Sequence, residues 1–489
     1  MTGAPELRLD SGPGRGVLAA AVLASGVAFL DGTVVNAALP SIARDLDASL
    51  ADLQWVITAY LLTLGAFLVL GGSLGDHFGR RRILVYGLCG FAATSALCAL
   101  APNTGMLIGA RALQGVAAAL MVPGSLAIVQ ASFRAVDRGR AIGAWSGLAG
   151  VSVALGPFLG GWLIDAASWR FVFLINVPLV AVAVFLALRF VPETHDPAAP
   201  AHIDWLGGAV LVAGLGAGVF ALIQGPGDDW STSTIVLGLV GVLALVLFVV
   251  VERRVPNPMV PLSMFRSRQF SGANAVTLLV YAALSGVLFL LVVHLQTDLG
   301  YSALEAGAAF LPATACMLVL SPRTGALSQR IGPRVPMTIG PLVAGSGMAL
   351  LARVEPGSSY WTAVLPGVFV LGIGLSITVA PLTTAVLAAA GDEHAGIGSA
   401  INNAVSRVAG LVSIAILPTA AGLTTSASLD LVHGFDTAMI ICGVTCALGG
   451  VVGAACIRKG TPTRVVVRAD VSIPCPPCLA DEEPSVDAA

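Results

Sequence analysis

Three charged side chains stand in surroundings that disfavour charge. Asp31 is the one acid in the run Gly26–Pro40, "GVAFLDGTVVNAALP". Arg111 opens "RALQG" within a second apolar run, and Arg407 lies in "SAINNAVSRVAG" within a third. A carboxylate in hydrocarbon is costly, and it persists where it pairs with a cation or carries a proton. If the first two runs cross a membrane with opposite polarity, Asp31 lies about 12 Å and Arg111 about 9 Å from the same face, at 1.5 Å per residue. The two can therefore meet. A neighbouring Arg favours the charged carboxylate and burial opposes it. Such opposed effects suit either a group that exchanges a proton or a permanent ion pair that fixes packing. Arg407 falls about 17 Å inside its run, near the midplane. Asn402 and Ser406, and Asn403 and Arg407, are paired at helical i, i+4 spacing. A guanidinium at that depth faces water, a ligand, a carboxylate or other polar groups.

These residues need helices to hold them, and the composition supplies them. The chain has 489 residues, 56% hydrophobic and 11% charged. Soluble domains carry about 25% charged residues. The apolar residues fall in blocks of roughly 20, the length that spans about 30 Å of hydrocarbon. The expected fold class is an all-α integral membrane protein with fourteen transmembrane helices, arranged as two six-helix halves plus two inserted helices. The basic residues set its orientation. With the N-terminus inside, the inner segments hold twenty Lys and Arg, the outer segments three (Arg44, Arg170, Arg353), and Arg111 and Arg407 lie within spans. Both termini are then expected in the cytoplasm. The domain reading is 1–16 N-tail, 17–192 first half, 193–258 two inserted helices, 259–457 second half, and 458–489 tail.

An internal repeat supports two halves. "GSLGDHFGRRRIL" at 72–84 and "GALSQRIGPRVPM" at 325–337 share Gly, Leu, Gly and Arg at an offset of 253. Gln329 stands in the second copy where the first has Asp76.

Several classes are excluded. Lys459 is the one Lys, and the Gly460–Thr461 that follows it does not make an ATP-binding phosphate loop. The net charge of −2 offers no global field for nucleic acid. Six of the eight Cys lie in or at the ends of spans and read as apolar filler, while "CPPC" at 475–478 is a weak metal or redox signal. No nucleophile–base set and no metal-ligand set emerges, so neither an enzyme, a metal nor a cofactor is expected. Trp55 reads as an interfacial belt residue, and His294, Gln296 and Glu305 as a solvated outer loop.

Four motifs now stand in order: "LDGTVVNAALP", "GGSLGDHFGRRR", "RALQG" and "LGPFLGGW" at Leu155–Trp162. Together they resemble the fourteen-span drug:proton antiporter branch of the major facilitator superfamily, over about residues 17–457. The resemblance implies an inner-membrane exporter of amphipathic small molecules, coupled to protons and working by alternating access. Narrow-range export of an endogenous metabolite, lipid or siderophore is the alternative, and proton symport of a nutrient a weaker one. It implies proton coupling at Asp31 and Arg111, and an inner-loop latch of Gly72, Asp76, Gly79, Arg80 and Arg81. It further implies a packing and bending device at Ser152, Gly156, Pro157, Gly160 and Gly161, although Ser152 replaces the usual Gly. The cavity lining would include Asn36, Gln54, Gln114, Asn402, Asn403, Ser406 and Arg407. The expected partners are an amphipathic substrate and the lipid bilayer, with no ATP and no nucleic acid, in a monomer. With Asp31 as the one deep acid, the charge count favours neutral or singly cationic cargo over dications.

Overall fold

The computed structural model describes residues 7–195, 204–255, 258, 260–391, 395–423 and 434–458. The 475–478 "CPPC" and nearly all of the expected 458–489 tail lie outside the described residues. The chain is helical almost throughout: α1 (Gly12–Leu46), α2 (Leu50–Phe78), α3 (Arg80–Ala99), α4 (Thr104–Ser132), α5 (Ala135–Ala166), α6 (Arg170–Leu174) and α7 (Asn176–Phe190). There follow α8 (Trp205–Gln224), α9 (Thr232–Glu252), α10 (Arg268–Thr297), α11 (Ala303–Ala308), α12 (Leu311–Ile331) and α13 (Arg334–Leu351). The chain continues through a π-helical turn, Tyr360–Val364, into α14 (Leu365–Ala390), α15 (Ala395–Ala420) and α16 (Phe435–Cys456).

Helix is what hydrocarbon demands, because it satisfies every backbone group within one segment. Polar side chains mark the ends. Ser11 accepts from Gly14 to start α1, Asn103 accepts from Met106 to start α4, and Ser49–Asp52 and Ser302–Glu305 form capping boxes on α2 and α11. α1 starts at Gly12, within the expected tail.

Among the described residues twelve helices are long and apolar enough to cross a membrane. This is two fewer than the expected fourteen spans. The two expected spans outside that count fall on α5, which contributes the shorter apolar stretch Val151–Ala166, and on α13 (Arg334–Leu351), an 18-residue helix with two prolines.

The helices pack in two groups. In the first, α2 and α3 lie on α4, and α1 lies on α5 and α7. In the second, α13 lies on α14 and α16, α12 on α14, and α10 on α15 and α16. α8 packs on α9 and also touches α2 and α15. Contacts between the groups run through α2–α15, α1–α10, α5–α11 and α5–α12. The repeat has a structural counterpart. Gly79 joins α2 to α3 at φ +106° and Gly332 joins α12 to α13 at φ +82°, a backbone region that glycine alone enters without strain.

Candidate functional site

Asp31 and Arg111 meet in the interior of the first group. Arg111 Nη1 lies 2.5 Å from Asp31 Oδ2, and the side chains are 1% and 0% exposed. α1 and α4 thus bring together two residues eighty positions apart, as their depths predict. Both charges are held by further hydrogen bonds. Asp31 Oδ1 accepts from Gln114 Nε2 at 3.0 Å and from Asn176 Nδ2 at 2.8 Å. Arg111 Nε donates to the Val56 carbonyl at 3.0 Å, and its Nη1 also donates to Gln114 Oε1 at 2.7 Å. Gln114 lies one turn from Arg111 on α4, which puts both on the face that meets α1. Ser95 of α3 closes the cluster, accepting from Gln114 at 2.8 Å and from Asn176 at 3.3 Å.

The guanidinium carbon lies 4.2 Å from the Tyr60 ring centroid, a cation–π arrangement. Tyr60 donates its hydroxyl to the Ala28 carbonyl at 2.9 Å. A buried ion pair holds only when its remaining donors and acceptors are satisfied, and here α1, α2, α3, α4 and α7 each supply one or more partners. Gln114 therefore belongs to the ion-pair cluster rather than to a cavity wall. Asn176 and Ser95 are members that the sequence reading missed. A lone amide in "FVFLINVPLV" is a signal that could have flagged Asn176.

The inner-loop motif acts within the first group. Asp76 accepts from Arg80 Nε at 2.7 Å. Arg81 donates its backbone N–H to Glu193 Oε1 at 3.0 Å, and its guanidinium lies 3.6 Å from Glu193 Oε2. Glu193, just past α7, was not anticipated. Of the two adjacent glycines of the motif, Gly71 makes the closer approach. A Cβ at Gly71 would fall 2.0 Å from the Ala119 carbonyl oxygen, whereas at Gly72 it would meet Pro123 at an ordinary 3.4 Å. Both glycines face α4, and Gly71 is the one that leaves no room for a Cβ.

The α5 motif divides between two partners. A Cβ at Gly156 would fall 2.0 Å from Thr33 Oγ1, and at Gly160 2.7 Å from the Val34 carbonyl oxygen, both on α1. On the other side, a Cβ at Gly161 would fall 2.2 Å from the Ala303 carbonyl oxygen. Reciprocally, a Cβ at Gly307 would fall 2.1 Å from the Pro157 carbonyl oxygen. Small residues at four-residue spacing thus let α5 lie against both α1 and α11. Ser152, with its hydroxyl on the Leu148 carbonyl, fits beside Gly26. Asp165 fastens the same end, accepting from the N–H groups of Ala303 and Leu304 at 3.3 and 2.9 Å.

The other expected cavity residues are mostly committed to structural bonds. Asn36 donates to the Thr33 carbonyl, and Asn403 to that of Ser399. Gln54 of α2 donates to the Ile414 carbonyl of α15 at 2.6 Å, crossing between the groups. Asn402 donates to Asn274 and Thr277 of α10. Ser406 donates to the Asn403 carbonyl. Arg407 is the exception. Among the described residues it meets no carboxylate, and its buried Nε–H has no acceptor.

Two residues assigned to a solvated loop belong to α10, His294 buried and Gln296 half-buried. α10 continues to Thr297, and His294 is 1% exposed, stacked on Phe435 and bonded to Asp298 and the Val354 carbonyl. Gln296 donates to the Ala37 carbonyl of α1 at 3.1 Å. Near them a cavity of about 1150 Å³ is lined by residues that include Arg44, Asp47, Asp165, Gln296, Tyr301 and Glu305.

A helical bundle of this kind, with a charged pair buried among membrane-crossing helices, is the build of a multi-pass membrane transporter. The Major Facilitator Superfamily profile matches residues 21–414, and the chain belongs to that family, whose members are transporters and not enzymes. It is 36% identical over 404 residues to the multidrug resistance protein Stp of Mycobacterium tuberculosis (strain CDC 1551 / Oshkosh), covering 82% of this chain and 75% of that one. It is 37% identical over 427 residues to the puromycin resistance protein pur8 of Streptomyces alboniger, covering 84% of each. The tetracenomycin C resistance and export protein of Streptomyces glaucescens is 34% identical over 414 residues, covering 84% of this chain and 77% of that one. In fold, the chain matches a crystal structure of the peptide transporter POT in complex with sulfate at a TM-score of 0.68 and 14% identity, over 92% of this chain and 96% of that one.

Proposed function

We propose that the protein is a proton-coupled antiporter that exports amphipathic small molecules across the inner membrane by alternating access. It would do so as a monomer of fourteen spans with both termini in the cytoplasm. The observation that carries this reading is the Asp31–Arg111 pair, a carboxylate 0% exposed in the interior of a transporter. A carboxylate held this way can change protonation only when the helices around it move apart. That links proton exchange to the conformational cycle. The relatives named for drug resistance and export support the direction of transport. The α5–α11 contact, the Asp165 bonds and the Gln296–Ala37 bond join the two groups at one end, which the proposed orientation makes the outer one, while the Asp76 motif stays within its own group. That combination supports a state closed on the outer side.

The test is substrate-dependent proton release from everted vesicles, with a panel of cationic, neutral and anionic compounds. Wild-type protein dissipates a preformed pH gradient when its substrate is added, and Asp31→Asn does not. Normal substrate-driven proton flux in Asp31→Asn overturns the assignment. Export of one endogenous compound is the second reading. A single responding compound in the panel would favour it.

A further inference from the structure

We propose that Arg407 selects the charge of the cargo, receiving an anionic group of an aromatic, amphipathic molecule at the seam between the two groups. This rests on the export reading for the identity of the occupant. Arg407 sits on α15 where that helix crosses α2, and a Cβ at Gly65 of α2 would fall 3.2 Å from the Arg407 Cβ. Its guanidinium carbon lies 5.3 Å from the Phe29 ring centroid on α1. α10, which carries Tyr281, and α2, which carries Tyr60, both pack on α15. Four helices from both groups thus converge on one cation.

That cation has no carboxylate partner among the described residues. A guanidinium keeps its charge under all ordinary conditions; the Arg407 Nε–H is enclosed without an acceptor, while the residue as a whole remains partly accessible. The Phe29 ring is the group that faces it, and an aromatic face offsets only part of a full charge. Asp31 is unable to supply the rest, because both its oxygens are taken by Arg111, Gln114 and Asn176. A cargo that brings a negative charge completes the pairing, and one that adds a positive charge is repelled. The surroundings also indicate an aromatic body. Phe29, Gly32 and Thr33, at i, i+3 and i+4, remain partly accessible on a helix that is otherwise buried from Ala24 to Pro40. This narrow accessible stripe carries an aromatic ring beside the cation. The expectation of neutral or singly cationic cargo rested on Asp31 as the one deep carboxylate, shared with Arg111, and on Arg407 repelling a dication. With Asp31 neutralised by Arg111, the charge that the interior offers is positive.

The test uses three probes of one shape: 9-anthracenecarboxylate, 9-anthracenemethanol and 9-anthracenemethylammonium. Binding to the purified full-length protein in detergent is measured at equilibrium by dialysis, without a proton gradient. The carboxylate is expected to bind wild type about tenfold or more tighter than the ammonium, a difference of about 1.4 kcal/mol. Arg407→Gln brings that ratio close to one, and Arg407→Lys retains a preference for the carboxylate. The proposal is overturned if wild type binds the ammonium as well as the carboxylate, if the carboxylate shows no saturable binding, or if its preference survives Arg407→Gln. The wild-type ratio alone can refute it, whatever the folding of the variants. Because no gradient is present, failure here is distinct from failure of proton coupling, which the vesicle assay reads separately.

Discussion

Replacing Asp31 by Asn keeps the shape of the side chain and strands a guanidinium in the protein interior. Removing one member of a buried ion pair costs about 3–5 kcal/mol. Arg111 would keep its bonds to Val56 and Gln114 and its place over Tyr60, which puts Asp31→Asn near the low end, about 3 kcal/mol. Arg111→Gln strands the carboxylate instead. Gln114 and Asn176 still donate to it, so a similar cost of about 3 kcal/mol is expected. The double variant leaves no charge behind, and its two amides can bond each other. Its cost should be only about 1–2 kcal/mol, the value of imperfect hydrogen bonds. The two single costs would sum to about 6 kcal/mol, so the coupling energy should be at least about 3 kcal/mol. The assay is unfolding of the four purified proteins in one detergent at neutral pH, with proton flux measured in parallel. Additivity within about 0.5 kcal/mol would refute the reasoning, because independent sites add within that margin. The double variant should be well folded yet inert in proton flux. Retained flux would dissociate the pair from coupling.

Other outcomes follow from the packing and the charges. Gly71→Ala should destabilise by about 1–3 kcal/mol through overlap with the Ala119 carbonyl, while Gly72→Ala should be nearly neutral, both read by the same unfolding assay. Gly161→Ala should push α11 from α5, so that Ala306→Cys, at a position 0% exposed, becomes labelled by a membrane-impermeant maleimide. Unchanged labelling would count against the outer contact as a closure. Asp76→Asn should slow export at matched membrane abundance, whereas Gln329→Asp should alter it little, as initial efflux rates will show. Hydrogen bonds from Thr234 and Ser231 hold the Asp228 carboxyl below its ordinary value, and Asp228 lies in the turn that leads into α9. A depressed folded pKa contributes stability that is present above the unfolded value, about 3.9, and lost as pH falls through the folded one. Hydrogen-exchange protection in residues 225–234, taken relative to the intrinsic rate at each pH, should therefore fall in that acid window for wild type and stay flat for Asp228→Asn.

The meeting of Asp31 and Arg111 was legible because helical rise is fixed, so position along a span is depth. Rotation about the helix axis is less legible, which is why the motif does not separate Gly71 from Gly72, although Gly71 is the one that leaves no room for a Cβ. Asn176 and Ser95 were missed for a related reason. A single amide or hydroxyl in an apolar run gains meaning only from what packs across from it, and those partners are up to 145 positions away in sequence. His294 was misplaced because the polar cluster after Leu295 reads as a loop, yet α10 continues to Thr297 and stacks the imidazole on Phe435. The two α5 faces were half visible. The four-residue spacing was plain, but the fact that Gly156 and Gly160 serve α1 while Pro157 and Gly161 serve α11 depends on the fold.

Arg407 also has an electrical consequence. On the antiport reading, the cargo-free protein carries the Arg407 charge on a helix that joins the two groups, and Arg111 adds a second once Asp31 takes its proton. A potential of about 100 mV acts on one elementary charge with about 2.3 kcal/mol across the full membrane, and on a partial displacement in proportion. A cell interior that is negative therefore draws the empty carrier toward the arrangement in which the Arg407 guanidinium is electrically nearer the cytoplasm. Cargo that neutralises it would make the loaded carrier indifferent to voltage. The membrane potential would then reset the empty protein for cytoplasmic loading without opposing the outward step.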